Sequence, residues 1–203
     1  MSQQPLTVDS NAPHTLTLNL QSLNLTDEQF VQLCRDNRDL RIEMTAKGEL
    51  IIMPPTGSRT GWRNSKLNQR LANWTDEDGT GLCFDSSTGF TLPDGAKLSP
   101  DAAWIRRERW EALSEKEQEG FAPLCPDFAV ERRSANDTLS ELQDKMSEYI
   151  ENTARLGWLI DPQSKRVYIY RAQQQEVECL ENPKEISGET VLPGFVLNVW
   201  ELW

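Results

Sequence analysis

Histidine is almost missing from this chain: His14, in a polar N-terminal stretch, is the only one in 203 residues. That excludes a Ser-His-Asp or Cys-His nucleophile unit and the histidine-bearing zinc sites. The four cysteines, Cys34, Cys83, Cys125 and Cys179, are far apart and show no metal-ligand spacing, so reduced core thiols are expected. No apolar run approaches the roughly 18 residues that a membrane helix needs. Met1–Leu6 has no basic segment followed by an apolar one, so no signal peptide and a cytoplasmic protein are expected. Excess positive charge is absent too. A net charge of −11 argues against a passive high-affinity nucleic-acid binder, which normally presents a basic surface. An enzyme with a local basic track is still allowed. Any chemistry must rest on carboxylates, lysine, arginine or tyrosine.

What is present fits one domain at residues 25–203, preceded by an N-terminal arm or edge strand at 1–24. Thr26-Asp27-Glu28-Gln29 has the pattern of a helix start with a capping box. Leu40–Met44 and Glu49–Met53 alternate and flank Lys47-Gly48, which predicts a hairpin. A helix is predicted from Ser58 or Thr60 to about Trp74, carrying Arg59, Arg63, Lys66 and Arg70. Short strands at 83–85, 89–92 and 96–105 read as an antiparallel meander with Pro93-Asp94-Gly95 as a turn. Helical turns are expected at 106–113 and 114–119. Strand 127–133, a helix from Asp137 or Thr138 to about Arg155 stopped by Gly157, and strand 158–161 form a βαβ unit with a parallel pair. Edge strands at 167–170, 176–180 and 190–192 complete the set. The fold class is α+β (mixed α/β), a mixed sheet flanked by helices. Most of the seven tryptophans are core candidates, while Trp200 and Trp203 could cover a sheet edge or a dimer partner.

Two strands carry acids where apolar residues belong. Lys97-Leu98-Ser99-Pro100-Asp101-Ala102-Ala103-Trp104-Ile105 holds Asp101, and Cys125-Pro126-Asp127-Phe128-Ala129-Val130-Glu131 holds Asp127 and Glu131. A carboxylate in a buried strand costs several kcal/mol unless it is paired, hydrogen-bonded or metal-bound. If these strands pair, Asp101 and Glu131 converge on one cation, and an oxygen-rich pair suits Mg2+ or Mn2+. Arg133 shares the strand face of Glu131 by period two. Lys145, beside the buried stripe of the next helix, is the other candidate to stabilise charge on an attacked phosphodiester. Competing structural roles stand beside these. Asp101 could cap a turn or pair with an arginine. Glu131 could pair with Arg132 or Arg133, and Lys145 with Glu141 four residues earlier. Asp127 reads as a turn anchor.

The order Asp, then Glu-x-(Lys or Arg), resembles the PD-(D/E)xK nuclease superfamily. More closely, Phe84–Phe90, Ser99–Trp104, Pro126–Glu131 and Gly157–Pro162 resemble the Uma-two family, a bacterial group of restriction-endonuclease-like proteins. The resemblance covers roughly residues 25–203. It implies a restriction-endonuclease-like core, Asp101 and Glu131 as metal ligands, Lys145 as the cation, and Glu49 as the early acidic residue that orients metal or water. Two departures stand out: Thr60 occupies a position where the family often has histidine, and Ser134-Ala135-Asn136 replaces a common Ser-Pro-Ser.

The expected function is a divalent-metal-dependent endonuclease on DNA, working as a homodimer as this fold often does, with no membrane association. Two alternatives remain: a catalytically silent binding or assembly module of the same fold, and a metal-dependent hydrolase of smaller phosphate esters.

Overall fold

Thr26 opens the first helix by the mechanism its type suggests. Its hydroxyl accepts from the Gln29 amide, and the Gln29 side chain accepts from the Thr26 amide. The computed structural model describes residues 15–135 and 137–203. His14, most of the N-terminal arm and Asn136 therefore lie outside the described residues. Helix α1 (Asp27–Asp36) packs Phe30 onto the hairpin of β2 (Arg41–Met44) and β3 (Glu49–Met53), against Ile42, Met44 and Leu50. The hairpin turns at Gly48, whose φ of 78° disfavours a side chain. β1 (Leu16–Asn19) is the edge strand of this sheet, antiparallel to β3.

Helix α2 (Ser58–Asp78) departs from expectation at both ends. Gly57 occupies the N-cap without a side-chain bond, and the helix runs on past Trp74 to a left-handed Gly79 that donates to the Thr75 carbonyl. It buries Leu67 and Leu71.

The expected meander is broken in two. Residues 96–105 do not form one strand. β6 (Lys97–Leu98) pairs with β2 and with β5 (Phe90–Thr91) in the first sheet, whereas β7 (Ala102–Arg106) pairs with β4 (Gly81–Asp85) in a second. The break is Ser99-Pro100-Asp101: proline has no N–H to give a central ladder. This break carries the chain from sheet to sheet and leaves Asp101 at the threshold of β7.

Short helices α3 (Arg107–Glu111) and α4 (Glu115–Gln118) lead to β8 (Phe128–Arg132). Helix α5 (Leu139–Glu151), capped by Thr138, connects it to β9 (Leu156–Asp161), and β8 and β9 are parallel. The helix is shorter than the sequence predicts. It ends at Asn152, and Gly157 lies inside β9, where an added Cβ would stand 2.3 Å from Met146 Cε. Its glycine serves close helix–sheet packing rather than a helix stop. β10 (Arg166–Arg171) and β11 (Glu178–Glu181) extend the sheet, giving the order β11-β10-β9-β8-β7-β4. Residues 190–192 are not a strand. They lie within the connection of a separate hairpin, β12 (Glu185–Ser187) and β13 (Val196–Asn198). α2 covers one face of the six-stranded sheet, over Ala102, Trp104, Phe128, Val130 and Trp158. α5 covers the other, over Ala103, Ala129 and Leu159. The architecture is the expected α+β arrangement of mixed sheet and flanking helices, with the first sheet set against it.

Candidate active site

The β7–β8 register places Ala102 opposite Val130 and Ala103 opposite Ala129, so one further step sets Asp101 opposite Glu131. Both acids are buried, at 6% and 3% exposure. The Arg132 amide donates to Asp101 Oδ2 at 2.9 Å, and Asn64 Nδ2 of α2 donates to Oδ1 at 2.8 Å. Glu131 points to the α5 face. There Tyr149 Oη donates to its Oε1 at 3.0 Å, and Lys145 Nζ is 2.9 Å from the same oxygen.

Lys145 thus leaves the helix surface. It sits one turn before buried Tyr149, and its side chain turns to the sheet instead of to Glu141. Glu141 is engaged with Thr138 at the helix start. Lys145 Nζ also lies 2.9 Å from Glu43 Oε1, a residue that no motif in the sequence singles out. Glu43 is 3% exposed on β2 and accepts the Ser99 amide at 3.0 Å. The first sheet reaches the site through the same break that positions Asp101. Glu43 leaves β2 on the face opposite Ile42 and Met44, and there Lys145 of α5 and the Ser99 amide take the place of solvent. Arg41 completes the group, with guanidinium nitrogens 3.8 Å from Glu43 and 3.7 Å from Asp101.

Two candidate residues lie elsewhere. Glu49 stands at the turn end of the β2–β3 hairpin, where its amide and carboxylate meet Thr45. Among the described residues it makes no ion pair with Lys145 or Arg41, the cations that hold the acids of the site. Arg133 turns from Glu131 because β8 ends at Arg132 and the alternation stops with it. Its guanidinium pairs with buried Asp161 at 3.1 Å and donates to the Asp137 carbonyl. Asp127 anchors the α3 junction, accepting the Arg106 amide and pairing with Arg109 at 2.9 Å.

Asp101, Glu131 and Glu43 are gathered here with Lys145 and Arg41, and the Arg132 guanidinium feels the Asp101 charge as well. Burial pushes Glu131 up to about 7; Asp101 and Glu43 add to this, while Lys145 and Arg41 oppose it. For Lys145, burial favours the neutral amine, but Glu131 and Glu43 outweigh it and raise the group to about 12. Tyr149 is held well above its ordinary value by burial and by Glu131, so it stays a phenol and a donor.

Among the described residues no three His, Cys, Asp or Glu side chains meet closely enough to enclose an ion alone. Magnesium does not require that: it commonly takes one or two carboxylates and keeps waters or substrate phosphate oxygens. Lys145 and Tyr149 both use Oε1 of Glu131, which leaves Oε2 as the oxygen to meet an ion. Two buried carboxylates set opposite each other are a donor set that fits such a cation. A cleft of about 790 Å³ opens between α2 and β4, with Asn64, Asn68, Ser65, Phe84 and Asp85 in its wall. Asn68 donates to the Asp101 carbonyl at 2.9 Å, so the cleft adjoins the acids.

A solved structure from Anabaena variabilis ATCC 29413, described as "a putative nuclease belonging to DUF820", is similar in fold with a TM-score of 0.71. The two chains are 19% identical, and the match covers 88% of this chain and 97% of that one. No curated protein matches. The family model of Uma2, described as "Putative restriction endonuclease", matches residues 27–200. By that match across most of its length, the chain belongs to the Uma2 family.

Proposed function

We propose that the protein is a divalent-metal-dependent nuclease that hydrolyses phosphodiester bonds in DNA. The observation that carries this is the placement of Asp101, at the threshold of β7, opposite Glu131 of β8, with Lys145 against Glu131. The Uma2 description and the fold of the Anabaena protein support the same reading.

Asp101 and Glu131 would hold Mg2+ or Mn2+. A bound divalent ion supplies Lewis-acid polarisation of a phosphoryl oxygen and a more acidic water. The chain's own residues supply the rest. Asn64 and the Arg132 amide fix the Asp101 carboxylate at both oxygens. Tyr149 donates a proton-bearing bond to Glu131 and sets its orientation. Lys145, kept charged by its two acid partners, offers an ammonium to charge developing on a non-bridging phosphate oxygen. Glu43 holds Lys145 as its second carboxylate partner.

The test is cleavage of plasmid and oligonucleotide substrates with magnesium or manganese, beside Glu131→Ala, Asp101→Ala and an EDTA control. Metal-dependent cutting that disappears in both folded variants is expected. Cutting by either variant at the parent rate sinks the assignment. A homodimer, with one site for each strand, is part of the proposal, and light scattering in solution tests it.

One observation favours a second reading, a silent binding module. Lys145 and Arg41 already offset much of the carboxylate charge without an ion. Calorimetry that detects no binding at millimolar magnesium, with no cutting of any nucleic acid, would select it.

A further inference from the structure

With 32 acidic against 21 basic residues, this chain has carboxylates to spare for every cation. Arg59 and Arg63 nevertheless make no ion pair among the described residues, and Lys66 meets only Gln69, at 3.4 Å. All three lie on one side of α2, at spacings of three or four residues, so their side chains are neighbours. The Arg63 Nε is buried without a hydrogen-bond partner. Burial, and repulsion from Arg59, lower the Arg63 guanidinium from its ordinary value. Like charges crowded together in an acidic protein are costly unless an anion belongs there.

The surroundings indicate which anion. Trp62 is 54% exposed, three residues after Arg59 and four before Lys66. A large exposed indole beside unpaired guanidiniums offers one ligand two surfaces, a flat apolar face and a cationic edge. The patch is also connected to the acids of the site. Arg132 Nη2 donates to the Thr60 carbonyl at 3.2 Å, between Arg59 and Arg63. Arg132 Nε donates to Asn64 Oδ1 at 2.8 Å, and Asn64 donates in turn to Asp101. One hydrogen-bonded chain, Thr60–Arg132–Asn64–Asp101, thereby joins the patch to the carboxylates.

We infer that the first turns of α2 dock a single DNA strand, with Arg59 and Arg63 on its phosphates and Trp62 stacked on an unpaired base. The identity of the polymer rests on the nuclease reading, but the docking surface does not need the metal site to be active. A duplex keeps its base faces stacked on each other and gives Trp62 nothing to stack on, so the surface selects unpaired DNA.

The experiment is fluorescence anisotropy of a labelled 20-nucleotide strand, and of its duplex, in EDTA over a range of salt. Compared with the parent are Trp62→Ala, the double variant Arg59→Gln/Arg63→Gln, and its control Arg59→Lys/Arg63→Lys. Thermal melts verify that each is folded. Trp62→Ala is expected to weaken single-strand binding about ten-fold and duplex binding little. The glutamine variant should shrink the slope of log K against log salt by about 1.4, the contribution of two phosphates, and the lysine control should keep that slope. Parent-like binding and salt slope in both Trp62→Ala and the glutamine variant overturn the inference, as does a parent that prefers duplex. If metal-dependent cutting lost in Glu131→Ala accompanies such a result, the nuclease stands and the docking surface falls. If the strand binds as inferred but nothing is cut, the reverse holds.

Discussion

Lys145 Nζ lies 2.9 Å from Glu131 Oε1, joining α5 to the strand that precedes it by way of a buried ion pair. The lysine is bracketed by a second carboxylate, Glu43, 102 residues away in the chain. A buried charge stripped of its partner is expensive, so this pair ties stability to the proposed chemistry.

Lys145→Met should therefore lose both activity and stability. Removing the ammonium leaves Glu43 and Glu131 facing each other in the interior, at a cost of about 3 kcal/mol. Adding Glu131→Gln should recover part of the loss, because the remaining unpaired charge is then smaller. Urea unfolding of the parent, both single variants and the double closes the cycle. Additive losses would show that the two side chains do not interact.

Arg133→Gln separates the two cations. Its guanidinium holds buried Asp161 and not Glu131, so the variant should lose about 1–3 kcal/mol of stability while its cleavage rate stays within a few-fold of the parent. Lys145→Gln should abolish cleavage at a temperature where both variants are folded. Equal rate losses in the two would put Arg133 in the machinery.

Acidity supplies a third check. The folded-state value of Glu131, about 7, lies above its ordinary 4.5, so the folded protein binds this proton more tightly than the unfolded chain. Its contribution is fully present below about 4.5 and is lost as pH rises through about 7. In EDTA, the stability difference between parent and Glu131→Gln should shift against the parent from pH 4.5 to pH 7.5. Magnesium should offset that shift at pH 7.5, where the carboxylate is free to bind it. Denaturant midpoints across this pH window give the answer, and a difference that moves in the parent's favour would contradict it.

Two glycines should respond differently to one methyl group. At Gly81 an added Cβ would stand 2.2 Å from the Trp104 ring and 2.5 Å from the Ile105 carbonyl, neither of which can swing aside. Gly81→Ala should cost about 2–3 kcal/mol. At Gly157 the nearest atom is the terminal methyl of Met146, which can rotate away, so Gly157→Ala should cost about 1 kcal/mol. Thermal denaturation ranks the pair, and the opposite order would mean that the β4–β7 contact is looser than these distances imply.

Local signals carried much of the fold. The Thr26 box, the β2–β3 hairpin and the β8–α5–β9 unit follow from caps, turns and periodicity within a few residues. Signals that depended on distant packing misled. Gly157 looked like a helix stop because a glycine after a helical stretch usually is one; here it makes room for Met146. Residues 96–105 looked continuous because each half is apolar, and only pairing with different sheets separates them at Pro100.

The same divide runs through the candidate site. Sequence alone left carboxylates, lysine, arginine and tyrosine as the candidate groups, since one histidine and scattered thiols offer little else, and it marked Asp101 and Glu131 as acids within apolar runs where an uncompensated charge is unfavourable. It also marked α2 as the most basic segment of an acidic chain. Tertiary structure decided the partners. It set Lys145 rather than Arg133 against Glu131, kept Glu49 in its hairpin, and brought in Glu43 from another sheet. The reason is physical: alternation tells which way a side chain leaves its own strand, but the charge it meets there is fixed by which elements pack against that face.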